Sequence, residues 1–148
     1  MNRTTLGRFD ILADADLHIA VLNLQSNAQL CTSFSATDVA MIATVASEFG
    51  RNILKYGGGR GYLLVSWIED DACGDNAVEI QAIDYGPGFV DVDAAVKDGY
   101  STGGTLGLGL PGAARIMDSL EIKSEPGCGA TVTAKKWARP NARPNRSR

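Results

Sequence analysis

The sequence predicts an α+β fold: a two-layer α/β sandwich, with helices on one face of a mixed, mostly antiparallel sheet. Two stretches, 14–31 and 35–56, carry apolar residues at helical spacing. Short apolar runs bounded by turn residues mark strands. The helices and antiparallel strands come in separate runs, which argues against βαβ alternation. The chain has 148 residues and 45% apolar content, enough for one continuous core.

The first strand is expected at residues 9–13. Asp14 or Asp16 then caps a helix on which Leu17, Val21, Leu24, Ala28 and Cys31 share a face. His18 sits beside that stripe and reads as a helix-flank residue. Ser35-Ala36-Thr37-Asp38 opens a second helix, with Val39, Ile42, Ala46, Phe49 and Ile53 as its buried face and Gly57-Gly58-Gly59 as its end. Glu48 and Asn52, four apart, project from one side of it, displaced from the apolar stripe. Strands at 62–68 and 77–83 form a hairpin across the acidic turn 69–76. A short helix is expected at 111–120, with Pro111 in its first turn, then a closing hairpin of 121–125 and 130–137.

Residues 1–137 read as one domain and 138–148 as a basic, disordered tail. Arg139, Arg143, Arg146 and Arg148 fall in that tail with no acid among them. With a net charge of -3, the rest of the chain carries about -7, which argues against a nucleic-acid partner. Cys31, Cys73 and Cys128 form no Cys-x-x-Cys pair, and the single histidine leaves no zinc site to propose. No apolar run reaches membrane length and no signal pattern opens the chain, so it reads as cytoplasmic with reduced thiols.

Chemistry concentrates in three places. Asp84-Tyr85-Gly86-Pro87-Gly88 follows an apolar strand, and its glycines admit a flat ligand close to the backbone. An ionised Asp84 there can accept a hydrogen bond from an exocyclic amine such as adenine's; alone, the segment reads equally well as an ordinary turn. Eight of the 17 glycines lie between Gly86 and Gly112, and the array runs into a helix N-terminus, a natural phosphate cradle and lid. Gly107-Leu108-Gly109-Leu110-Pro111-Gly112 matches the dinucleotide pattern by chance, since no apolar strand precedes it; no P-loop occurs. In the third place, an Asn52 amide oxygen suits Mg²⁺ beside phosphate, and a Glu48 carboxylate one turn away can take a proton from a hydroxyl. For an isolated pair, solvated helix polarity is much the better reading.

The order of these features resembles the GHKL ATPase superfamily, whose nucleotide pocket is the Bergerat fold, over roughly residues 9–137. Within it, the chain is similar to the anti-sigma-type serine/threonine kinases, the RsbT-type switch kinases in particular. Ser35-Ala-Thr-Asp38, the stretch from Ile42 to Ile53, Asp98-Gly-Tyr-Ser-Thr-Gly103 and Leu106 to Asp118 carry this likeness, as does Arg51 before Asn52. The resemblance implies ATP and Mg²⁺ as cofactors, with Glu48 as catalytic base and Asn52 as metal ligand. Asp84 would bind adenine with Gly86 and Gly88, and Ser101, Thr102, Gly103, Gly104, Leu106, Gly107, Leu108, Gly109 and Thr131 would complete the nucleotide site. It implies phosphorylation of a STAS-domain antagonist protein, with a PP2C-type phosphatase or a sigma factor as further partner. The alternative is a nucleotide-stabilised binding module that switches partners with little turnover. A histidine-kinase catalytic domain is disfavoured because no phosphoacceptor helix accompanies it.

Three positions depart from the family. Its usual Gly-x-Gly-Thr reads Gly127-Cys128-Gly129-Ala130 here, with the hydroxyl one place later at Thr131. Phe49-Gly50 replaces Leu-Ala, and a mid-helix glycine costs about 1 kcal/mol against alanine. The first helix lacks the arginines often found there.

Overall fold

The computed structural model describes residues 1–70, 72, 74–86, 109–124 and 127–138. Five strands form one sheet in the order β1-β2-β3-β5-β4: β1 (Asn2–Ile11), β2 (Gly61–Asp70), β3 (Asp75–Asp84), β4 (Ser119–Ser124) and β5 (Ala130–Ala138). The predicted α+β class holds, and every described pairing is antiparallel rather than mixed. Four helices accompany it among the described residues: α1 (Asp14–Gln25), α2 (Ala28–Ser33), α3 (Ala36–Tyr56) and α4 (Gly109–Ile116).

The longest helix, α3, forms as its sequence predicts. The Ser35 side chain accepts the Asp38 N–H and satisfies one of the first-turn donors. Val39, Ile42, Ala46, Phe49 and Ile53 are all buried. They meet Leu63, Val65 and Trp67 of β2, Val78, Ile80 and Ala82 of β3, and Val132 and Ala134 of β5 in one core. These strand residues alternate, so one sheet face packs on the helices while Ser66, Glu79, Gln81 and Lys135 belong to the other. On that other face Glu79 is buried and ion-paired with Arg3 of β1.

Several boundaries differ from expectation. The first strand begins at Asn2 and ends at Ile11, with a bulge between Thr5 and Gly7. Its first half is polar because it is an exposed edge, which hides the period-two signal. The helix expected to run from Asp14 through Cys31 breaks after Gln25. Asn27 accepts the Leu30 N–H and caps a new helix, so Leu30 is buried while Ala28 and Cys31 are exposed. Asp16 does not cap from in front of the helix; it reaches back from the first turn to the N–H groups of Leu12 and Ala13. The short helix expected to reach residue 120 stops at Ile116. Asp118 is drawn to β5 instead, donating its N–H to the Lys135 carbonyl and accepting the Trp137 N–H on its carboxylate.

Gly50 also acquires a reason. A Cβ there would overlap the Leu17 side chain of α1, so the missing side chain lets α1 seat closely on α3.

Candidate functional site

Helix α3 carries most of the site. Its Glu48 carboxylate is 1% exposed, far more enclosed than its displacement from the apolar stripe suggests. Burying an ionised carboxylate is costly unless a cation and donors accompany it. Arg51 supplies the cation: its Nη1 donates to Glu48 Oε1 at 3.0 Å, and its Nη2 donates to Ser47 Oγ at 3.3 Å. One turn beyond Glu48, the Asn52 Oδ1 is buried and has no hydrogen-bond partner among the described residues. A buried amide oxygen without a donor costs on the order of 1–3 kcal/mol. It fits a position awaiting a hard cation, for which amide oxygens are good ligands.

Ser47, Glu48 and Arg51 border a groove of about 620 Å³ between α1 and α3. Asp14, His18 and Gln25 of α1 and Thr44 of α3 are among the other residues that line it. Histidine 18 is therefore a groove-wall residue on an exposed helix flank.

At the C-terminal end of α3 lies Asp84, the last residue of β3. Its Oδ1 accepts the Gly86 N–H at 2.9 Å. Partial burial raises its pKa above the ordinary 3.8, opposed by hydrogen bonds from the Gly86 and Ala130 N–H groups. Four glycines enclose it. A Cβ on Gly57 would stand 2.7 Å from the Asp84 Cβ, and one on Gly86 would stand 2.5 Å from the Gly57 carbonyl carbon. Gly61 would meet the Asp84 Cα at 3.0 Å. Gly129, at φ +87°, lies against the Asp84 carbonyl. Helix end, strand end and hairpin turn thus meet backbone to backbone around one carboxylate.

Gly57, Gly61 and Gly129 were not among the expected site residues. The signal was present, since Gly57 was legible as a helix terminator and Gly129 as a turn, but their meeting at Asp84 is a tertiary fact. Along α3, at about 1.5 Å per residue, Asn52 lies about 7 Å and Glu48 about 13 Å from Gly57. The order along the helix is therefore the buried Glu48 carboxylate, the Asn52 amide oxygen, then the seat of Asp84.

Thr131 lies on the opposite sheet face from Ala130. It pairs with Ile83 and Lys123, whereas Ala130 pairs with Asp84. The pleat turns successive residues to opposite faces, so the hydroxyl displaced by one position faces away from the side holding Glu48 and Asn52. Thr131 instead borders a cavity of about 290 Å³ at the sheet end, shared with Asp84, Tyr85 and Lys123. Gly109, expected at the phosphates, opens α4 at φ +71° and is buried. Gly88, Ser101, Thr102, Gly103, Gly104, Leu106, Gly107 and Leu108 lie outside the described residues, as does the basic tail from Arg139. Among the described residues, no helix is long and apolar enough to cross a membrane.

Comparison with known proteins is consistent with this geometry. The family described as histidine kinase-, DNA gyrase B-, and HSP90-like ATPase matches residues 37–140. The chain is 37% identical over 129 residues to the serine/threonine-protein kinase RsbT of Bacillus subtilis (strain 168), covering 87% of this chain and 94% of that protein. It is 35% identical over 66 residues to an anti-sigma F factor of Caldanaerobacter subterraneus subsp. tengcongensis, covering 43% of this chain and 46% of that one.

Proposed function

Since the chain belongs to the histidine kinase-, DNA gyrase B-, and HSP90-like ATPase family, we propose that it is an ATP-dependent protein serine/threonine kinase of the partner-switching type. The observation that carries this reading is the pair on α3: a buried Glu48 carboxylate one turn from the buried Asn52 Oδ1, which has no partner among the described residues. A domain that merely bound nucleotide for shape would have no use for an enclosed base beside a cation ligand.

In this reading Asp84 accepts the adenine amine, and Gly57, Gly86 and Gly129 allow the ring to approach the backbone. The resemblance assigns the glycines from Gly103 to Gly109 to the phosphates, to which backbone N–H groups would donate. Asn52 would hold Mg²⁺, which would neutralise phosphate charge. The acceptor hydroxyl oxygen forms a bond to the γ-phosphorus, the bond to the β,γ-bridging oxygen breaks, and the hydroxyl proton passes to Glu48. Phosphoryl transfer needs chiefly positioning and charge neutralisation, and one rigid helix supplies the positioning.

The acceptor in this reading is a serine or threonine of a STAS-domain antagonist protein. Exposed Leu12, Ile19 and Leu22 around α1 give the chain apolar surface suited to protein partners, a PP2C-type phosphatase or a sigma factor among them. That surface favours a second reading, a binding module whose nucleotide only sets its shape.

Labelled ATP mixed with STAS-domain proteins separates the two. The kinase reading expects label on a serine or threonine with the wild type and none with Glu48→Ala, while Glu48→Ala still binds ATP by calorimetry. Undiminished transfer by Glu48→Ala removes it as the base, and no transfer to any STAS protein leaves the binding module.

A further inference from the structure

Arg51 has no part in the chemistry assigned above, yet its guanidinium donates to the Glu48 carboxylate. We propose that Arg51 is a positioning residue for phosphoryl transfer, fixing the carboxylate in the orientation from which it receives the acceptor's proton. The proposal rests on the reading of Glu48 as the base.

The geometry has three parts. The guanidinium is planar and spans two acceptors one turn back on its own helix, Glu48 Oε1 at 3.0 Å and Ser47 Oγ at 3.3 Å. Two contacts from one rigid fork define an orientation, where a single contact from a flexible ammonium defines only a distance. Burial is also asymmetric: the Glu48 side chain is 1% exposed and that of Arg51 is 36% exposed. A solvated helix pair of this spacing would leave both ends in water and orient neither. The third part is position. Ser47, Glu48 and Arg51 lie together on the wall of the groove between α1 and α3, so an acceptor side chain entering there meets the carboxylate already held. Arg51 neither gains nor loses a proton during the step; its guanidinium stays charged throughout. Its effect is on the fraction of encounters in which the carboxylate is aligned, and hence on kcat.

Two readouts test this: phosphate release from ATP with water as acceptor, and label transfer to a STAS-domain protein. Arg51→Ala should lower kcat about 10- to 100-fold in both, the range that misplacing a catalytic group produces. Affinity for ATP, measured by calorimetry, should not change. Arg51→Lys should recover part of the rate. Added guanidinium ion at non-denaturing concentration should recover part of it in Arg51→Ala and none in Glu48→Ala.

Wild-type kcat in Arg51→Ala, with Glu48→Ala inactive, overturns the positioning role and leaves the base assignment standing. A loss that appears in ATP affinity instead also overturns it. So does a rate loss relieved by neither lysine nor guanidinium in a protein of lowered melting temperature, which makes Arg51 structural. Full turnover in Glu48→Ala removes the base itself, and the proposal with it.

Discussion

Replacing Gly129 by alanine tests the backbone seat of Asp84 against a control in the same hairpin turn. Both Gly127 and Gly129 have positive φ, +82° and +87°. An alanine at either position pays the left-handed penalty of about 1–2 kcal/mol. They differ in surroundings: a Cβ on Gly127 meets nothing within 4 Å, whereas one on Gly129 collides with the Asp84 carbonyl oxygen and stands 3.2 Å from the carbonyl carbon. Neither atom is the end of a flexible side chain, so β3 or the turn must shift, at a further cost of about 1–3 kcal/mol. At about 4 °C per kcal/mol for a chain of this size, Gly127→Ala should lower the melting temperature by about 4–8 °C. Gly129→Ala should lower it by about 8–20 °C on the same scale. Differential scanning calorimetry measures both. The displaced Asp84 should also weaken ATP binding in Gly129→Ala, while Gly127→Ala binds as the wild type does. Equal melting shifts, or unimpaired nucleotide affinity in Gly129→Ala, would refute the idea that this glycine seats the carboxylate.

Two more outcomes follow from the site. Burial raises the Asp84 pKa, so the folded, unliganded protein holds a proton there at pH values where the unfolded chain has released it. Its contribution to stability therefore falls as pH rises from about 3.8 through the raised value. ATP affinity moves the opposite way, since only the carboxylate form accepts the adenine amine: it should fall as pH drops through that value, while Asp84→Asn binds weakly with no such step. A calorimetric pH series showing the same step in both proteins would remove Asp84 from adenine recognition. Asn52→Ala should lose at least about tenfold in Mg²⁺-dependent ATP affinity, or 1.4 kcal/mol, yet melt no lower than the wild type without nucleotide. It discards a buried oxygen that has no partner among the described residues. A clear fall in unliganded stability would show that Oδ1 is already satisfied.

What the sequence made legible divides by the range of the interaction. Helix α3 was readable in detail because its Ser35 cap, apolar face and Gly57 terminus are all local. Asp84 was readable because an apolar strand ends on it. The edge strand β1 was not, since half of its residues face water and carry no alternation. Nor was the break at Asn27, whose side chain competes successfully for a helical donor that the apolar stripe would have left to the backbone. Glu48 showed its place on the helix but not its burial, which depends on the packing of α1. The face that Thr131 takes was not legible, because in a pleated strand one residue exchanges one face for the other and the register is a tertiary fact. Gly50 looked like an unexplained weakness until Leu17 appeared opposite it.

The proposed base, its arginine and the Asn52 amide all belong to one uninterrupted helix, Ala36–Tyr56, and the glycine against Asp84 caps its end. Their spacing is consequently inherited as a unit. Adding or deleting one residue between Glu48 and Gly57 would turn everything beyond it by about 100° and move it about 1.5 Å along the axis. No neighbouring loop can absorb that change, so lineages descending from this chain can alter these residues by substitution but not by insertion or deletion. The outer surface of α1 is under no such constraint, and there a duplicated copy can acquire a new partner while leaving its chemistry intact.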